Sequence, residues 1–269
     1  MNNIRRLSLL LTFALAATLA GCSTFVPAVD PEVRQALAPT GKLRVGVYMG
    51  SPTSMVLDAK SGQKVGVSLD LGRELARQLG VPFEPVEYRR VAEVIDAMKT
   101  GAVDFTFTNA TAARAKDVDF TAPLIDLELG YLVPPNSVMQ SPAEADRPGM
   151  RIGVSQGSSS QGTLTREYKH ATVVPASSLQ VAAEMMKKGE LQAFATNKAI
   201  LFEMSDGLPG FRVLDGRWGL EHLAIAIPKG RERGMAYLRQ FAAQAKDGAL
   251  LPSIIEKSGL RGTAKATAP

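Results

Sequence analysis

Two hydrophobic periods alternate along this chain. KLRVGV at residues 42–47 reads as a strand, and after a loop rich in Gly, Ser and Pro the apolar positions change spacing. Val67, Leu71, Leu75 and Leu79 recur every four residues, one face of a helix that stops at Gly80. PFEPVEY at residues 82–88 predicts a second strand, and Val91, Val94, Ile95 and Met98 give the i, i+3, i+4, i+7 pattern of a second helix ended by Gly101. Phe105 and Phe107 then alternate with Thr106 and Thr108, predicting a strand over residues 104–108. Strand, helix, strand, helix, strand implies a parallel sheet covered by helices.

The same order recurs after Pro134-Pro135-Asn136. RIGVS at 151–155, a helix from QGSSSQG to about Tyr168, TVVPA at 172–176, a helix on Leu179, Ala182, Ala183 and Met186, and LQAFA at 191–195 repeat the topology. A later apolar strand at 223–227 and helices on Met235, Leu238, Phe241, Ala242 and Ala245, then on Leu250, Ile254 and Ile255, have no second lobe left to build and return to the first. The chain therefore divides into lobe 1, residues 41–133 with 225–260, and lobe 2, residues 134–224.

Ligands of open α/β sheets bind beyond the carboxyl ends of strands. Here those ends are Asn109, Gln156-Gly157-Ser158 and Asn197, which line one cleft if two lobes face each other. Past the first of them, Asn109-Ala110-Thr111 offers side-chain oxygens to a helix beginning at about Ala112, and Arg114 follows. A helix N-terminus beside a planar guanidinium suits a carboxylate or phosphate. The competing expectation is that Arg114 merely pairs at the surface with Asp117 or Asp119.

The ends carry a different signal. Two arginines, an apolar run from Leu7 to Ala20 and the small residues before Cys22 have the form of a secretory signal over residues 1–22, and Leu19-Ala20-Gly21-Cys22 resembles a bacterial lipobox. Cys22, the only cysteine, then becomes the lipidated first residue of the mature chain and leaves no thiol for an intramolecular disulfide. Residues 23–40 read as a proline-bearing tether and residues 261–269 as a disordered tail. Loss of Arg5 and Arg6 takes the formal charge from +5 to +3, too mild and dispersed for a nucleic-acid partner. With only His170 and His222, no metal cluster is expected; no Walker loop, GxSxG elbow or GxGxxG in strand-helix context appears, and no cofactor is expected.

From Lys42 to Leu260 the residues resemble the family 3 extracellular solute-binding proteins. GVSLDLGRELARQLGV is similar to the family's GFDVDLAKAIAKRLGV-type segment, ARAKDVDFTAP to ERAxxVDFSxPY, RIGVSQGSSS to RVGVQxGTT, and GELQAFATN to GxVDAFVTD. The resemblance implies an α/β type II periplasmic-binding fold, two lobes joined by a two-strand hinge, closing on a small carboxylate-bearing solute such as an amino acid. It implies that Arg114 clamps the ligand carboxylate, opposed by Ser158 or Ser159, with Asn109 or Thr111 supplying a polar group before the arginine. Tyr48 stands at a ligand-facing or packing position, and Asn197 replaces the aspartate that usually binds the ligand ammonium. An amide cannot neutralise a buried cation, so standard zwitterions are expected to bind weakly against mono- or dicarboxylates. The implied function is that of a monomeric, lipid-anchored receptor in the periplasm or cell envelope, delivering its solute to the permease and ATPase subunits of an ABC importer. Two alternatives stand beside it: a ligand-sensing accessory protein without transport, and a dehydratase-like enzyme using Glu128, Asp126 or His222 as acid or base.

Overall fold

The computed structural model describes residues 29–264, so the signal segment, Cys22, residues 23–28 and residues 265–269 lie outside it. The first half runs α1 (Pro31–Leu37), β1 (Leu43–Tyr48), the short β2 (Val56–Leu57) and β3 (Lys64–Val65), α2 (Val67–Leu79), β4 (Phe83–Tyr88), α3 (Val91–Lys99), β5 (Thr106–Asn109), β6 (Val118–Phe120) and the long β7 (Ile125–Val133). The second half holds β8 (Arg151–Ser155), α4 (Ser159–Glu167), β9 (Thr172–Ala176), α5 (Leu179–Lys187), β10 (Ala193–Asn197), α6 (Lys198–Asp206) and β11 (Arg212–Val213). The chain then returns through β12 (Gly219–Pro228) to α7 (Glu232–Asp247) and α8 (Leu250–Lys257).

The periodicities place these elements as expected. The four-residue repeat of α2 buries Val67, Leu71, Leu75 and Leu79, and Gly80 ends the helix at φ 66°, a left-handed cap that side chains other than glycine adopt at a cost. β1 pairs in parallel with β4, and Gly46 N–H donates to Phe105 O at 2.8 Å, which brings β5 alongside. Asp104, fully buried, receives Arg44 and Arg231 at 2.8 Å each and so fixes the start of the strand that leads to Asn109.

One ladder runs β5-β12-β7-β10-β8-β9 through both halves. β12 is antiparallel to β5 and to β7, β7 is antiparallel to β10, and β10, β8 and β9 are parallel. The buried apolar side chains separate along it. Leu43, Val45, Leu71, Phe105, Leu127, Ile225 and Phe241 share one core, while Tyr131, Ile152, Val154 and Ala195 and then Leu132, Phe194, Ile200 and Leu201 form two others. The nine-residue β7 alternates Ile125, Leu127, Leu129, Tyr131 and Val133 on one set of positions, and it passes from the first core to the second.

Two expectations about the ends are corrected. Residues 31–37 are not tether: Asp30 accepts Glu32 N–H at 2.8 Å, Pro31 opens the helix, and Leu37 is fully buried in the first core against α7. Its partner there is Gly234, where a Cβ would lie 2.5 Å from Leu37 Cδ2. Residues 261–264 are not a free tail either, because Gly262 O accepts Glu128 N–H at 3.0 Å and Ala264 N–H donates to Asp126 O at 2.8 Å, laying them along β7.

Leu37→Ala is expected to destabilise the protein by about 2–5 kcal/mol in urea denaturation, as for other deeply buried leucines. A loss below about 0.5 kcal/mol, the range of surface changes, would return residues 31–37 to the tether.

Candidate functional site

Strand ends from both halves meet as the topology requires. β5 delivers Thr108 and Asn109, β8 delivers Ser155, β10 delivers Thr196 and Asn197, and β12 passes between them carrying Glu221 and Leu223. Tyr48, Thr53 and Arg90 close the first-half wall, and Ser158, Ser159 and Leu179 the second. The cavity between them is narrow, about 30 Å³.

Arg114 lies in this wall. The expected helix at Ala112 is a single 3-10 turn, Arg114–Lys116, because no apolar periodicity follows Thr111 to hold a longer helix against the core. With no helix, no helix dipole adds to the arginine. The guanidinium is held instead by its own strand, Nη1 donating to Thr108 Oγ1 at 2.7 Å and to Asn109 O at 3.1 Å. The surface-pair alternative is not realised: Asp117 pairs with Lys99 at 3.1 Å and Asp119 with Lys229 at 2.9 Å. Among the described residues no carboxylate comes within salt-bridge distance of Arg114. Burial lowers its pKa from the ordinary arginine value and the charge of Glu221 opposes that shift.

Facing it is a polar chain. Ser158 caps α4 by accepting Gln161 N–H at 3.1 Å, leaving Ser159 to bridge the halves: Asn109 Nδ2 donates to Ser159 Oγ at 3.2 Å, and that hydroxyl donates to Glu221 Oε1 at 3.1 Å. Asn197 Nδ2 donates to Glu221 Oε2 at 2.9 Å while its Oδ1 accepts Ile200 N–H at 3.1 Å, capping α6. His222 N–H donates to Asn109 Oδ1 at 3.0 Å. Tyr48 lines the cavity with its phenol pKa raised, chiefly by burial, so the ring stays neutral.

Of the residues expected at the site, Tyr48, Asn109, Arg114, Ser158, Ser159 and Asn197 line the one cavity. Thr111 does not. It lies two residues past the strand end, where its hydroxyl accepts Arg114 N–H at 3.2 Å and it borders a separate pocket with Trp218 and His222. The acid-base candidates of the enzyme alternative also lie elsewhere: Glu128 pairs with Lys198 at 2.7 Å, and Asp126 with His222 Nδ1 at 2.7 Å on an exposed face. Glu221 was not foreseen. It is 7% exposed and is the one carboxylate among the cavity's lining residues. Its only sequence mark is a charge inside an otherwise apolar strand pattern, LEHLAIAI.

Two α/β halves, joined by the two continuous strands β7 and β12, flank a polar cavity between opposed strand ends, the arrangement of a solute-binding protein. The chain belongs to the bacterial extracellular solute-binding proteins, family 3, whose family model matches residues 43–257. It is similar to the glutamine-binding protein of Geobacillus stearothermophilus, with 24% identity over 241 residues covering 81% of this chain and 92% of that one. It is also similar to the ABC transporter glutamine-binding protein GlnH of Bacillus subtilis (strain 168), 22% identical over 200 residues, 73% of each chain. The solute receptor for L-cysteine of Neisseria gonorrhoeae superposes with a TM-score of 0.74 at 25% identity, over 84% of this chain and 92% of that one. The fold is the type II periplasmic-binding fold, and both relatives are binding proteins rather than enzymes.

Asn197→Asp sets two carboxyl groups about 3 Å apart, so one of them titrates above its ordinary range. A carboxyl whose folded pKa is raised binds its proton more tightly in the folded state, and stability then falls as pH rises above the unfolded value of about 4. The variant is expected to match wild type near pH 4 and to lose about 1–3 kcal/mol by pH 8 in urea denaturation. A difference from wild type that does not change with pH would show that position 197 does not feel the Glu221 charge.

Proposed function

We propose that the protein is the extracytoplasmic receptor of an ABC importer, capturing an amino acid or related small carboxylate-bearing solute by closure of the segments 41–133 and 225–260 on the segment 134–224. The observation that carries this is Arg114: a cation in the wall of the inter-lobe cavity, oriented by Thr108 and the Asn109 carbonyl, with no carboxylate within salt-bridge distance among the described residues. A ligand carboxylate supplies the missing partner in a bidentate geometry the guanidinium favours. Ser158 and Ser159, at the start of α4, line the same space from the other half. Closure follows when the solute binds both walls together better than either alone, since only differential affinity shifts such an equilibrium. The closed surface is then what the permease meets. The similarity to glutamine-binding proteins supports an amino acid as the solute class. The order of charge, apolar run and Cys22 in the leader supports a lipid anchor holding the receptor at the membrane.

Purified protein screened with the standard L-amino acids and small organic acids is expected to show a raised melting temperature with at least one carboxylate. Arg114→Ala should weaken that solute at least about 100-fold in calorimetry while the unliganded melt stays cooperative. Unchanged affinity would sink the clamp. For the anchor, Cys22→Ser is expected to abolish palmitate labelling of the expressed protein and to move it from the membrane to the soluble fraction; labelling that persists would remove Cys22 as the lipidation site.

A further inference from the structure

We propose that Glu221 takes the α-ammonium of the solute, so that the site selects zwitterionic α-amino acids over acids that lack the amine; this rests on the receptor function above and names its substrate class. Glu221 is a carboxylate 7% exposed whose hydrogen-bond partners, Ser159 and Asn197, are both neutral. No cation comes within salt-bridge distance of it among the described residues. A buried charge without a counter-ion is unfavourable, and its two oxygens keep acceptor positions beyond the two bonds they make. Arg114 presents the opposite charge to the same cavity, likewise without a salt-bridge partner among the described residues, and the two charges attract each other across it without contact. Two opposite charges on one small cavity, neither in contact with a counter-ion, are the complement of a solute that carries both.

Asn197 fits this arrangement as a positioning residue. Its Nδ2 donates to Glu221 and its Oδ1 accepts from the start of α6, and the amide offers an ammonium no negative charge. An aspartate in its place would stand against the Glu221 carboxylate and repel it. The neutral amide at the end of β10 is therefore what permits an acid on β12, and the negative charge of the site has moved from one strand to the other. The pleat of β12 turns Glu221 and Leu223 into the cavity and His222 away from it, toward Asp126.

Calorimetry with matched probes tests this: each standard L-amino acid against the same acid bearing hydrogen in place of the α-ammonium. Wild type is expected to bind its preferred amino acid at least about 100-fold more tightly than the deaminated counterpart. Glu221→Gln should remove that preference, weakening the amino acid about 100-fold and leaving the deaminated acid within about threefold of wild type, which also shows that the variant is folded. Equal binding of both probes by wild type overturns the proposal, as does amino-acid binding unaffected by Glu221→Gln. Loss of both probes together in Glu221→Gln overturns it in favour of a structural role. Arg114→Ala separates the two levels. If it abolishes both probes while Glu221→Gln changes neither, the carboxylate clamp stands and Glu221 alone is removed. If wild type binds neither probe, the receptor function itself fails.

Discussion

The antiparallel pairing of β7 with β12 is the interaction on which the rest of the molecule depends. It runs from Leu223 opposite Ile125 to Gly219 opposite Leu129. Past one end of it, β12 pairs with β5, with Leu223 opposite Asn109; at the other, β7 pairs with β10, with Asn197 opposite Leu129. Both asparagines at the strand ends are thus placed by residues of this one ladder, as is Glu221 between them. Because side chains alternate faces with a period of two, a slip of one residue in the register would turn His222 into the cavity and Glu221 out of it. The apolar positions on either side, buried in different cores, make such a slip costly.

The cavity walls meet through small residues as well as polar ones. Gly157, at φ 74°, lies where a Cβ would come within 2.6 Å of Ala92 Cβ, and at Gly50 a Cβ would come within 3.1 Å of Leu179 Cδ1. Arg90 Nη1 reaches across to Ser177 O at 3.3 Å. These contacts, with the Asn109-Ser159-Glu221 chain, join residues 50 to more than 100 positions apart in the sequence and bring Arg114 and Glu221 to the same small volume. In the closure proposed above, desolvating two charges without contacting counter-ions is unfavourable, whereas a solute carrying both counter-charges reverses that term. On that proposal selectivity and motion are the same free energy, since whatever fails to answer one of the charges also fails to hold the walls together.

Much of this was legible in the amino-acid sequence, and the boundary of what was legible has physical reasons. The α2, α3 and α7 helices announce themselves by apolar spacing, and the ends of β5, β8 and β10 follow from strand patterns that a parallel sheet must orient alike. Arg114 stood out because the turn that follows the end of β5 carries it. β7 carried a regular alternation from Ile125 to Val133, a signal available but masked by its lying between the two repeats. α1 was hidden by the prolines at 27, 31 and 39, which suggest a linker although Pro31 occupies the one helical position that suits it. The turn at Arg114 looked like a helix because its capping residues were present, yet a cap without an apolar face nucleates nothing longer.

Glu221 was illegible for a deeper reason. It lies 24 residues from Asn197 and 62 from Ser159, and only the ladder brings them together. Taken alone, Asn197 subtracts a negative charge from the site and weakens any case for a zwitterion. Taken with Glu221, the same asparagine is the neutral neighbour that a relocated carboxylate requires, and the case is restored. The two positions have opposite meanings separately and a single meaning as a pair, because charge in a buried cavity is a property of the cavity rather than of either strand. A departure from a family's usual residue therefore says little about specificity until the groups within hydrogen-bond reach of it are known. Here the group in reach of Asn197 is an acid.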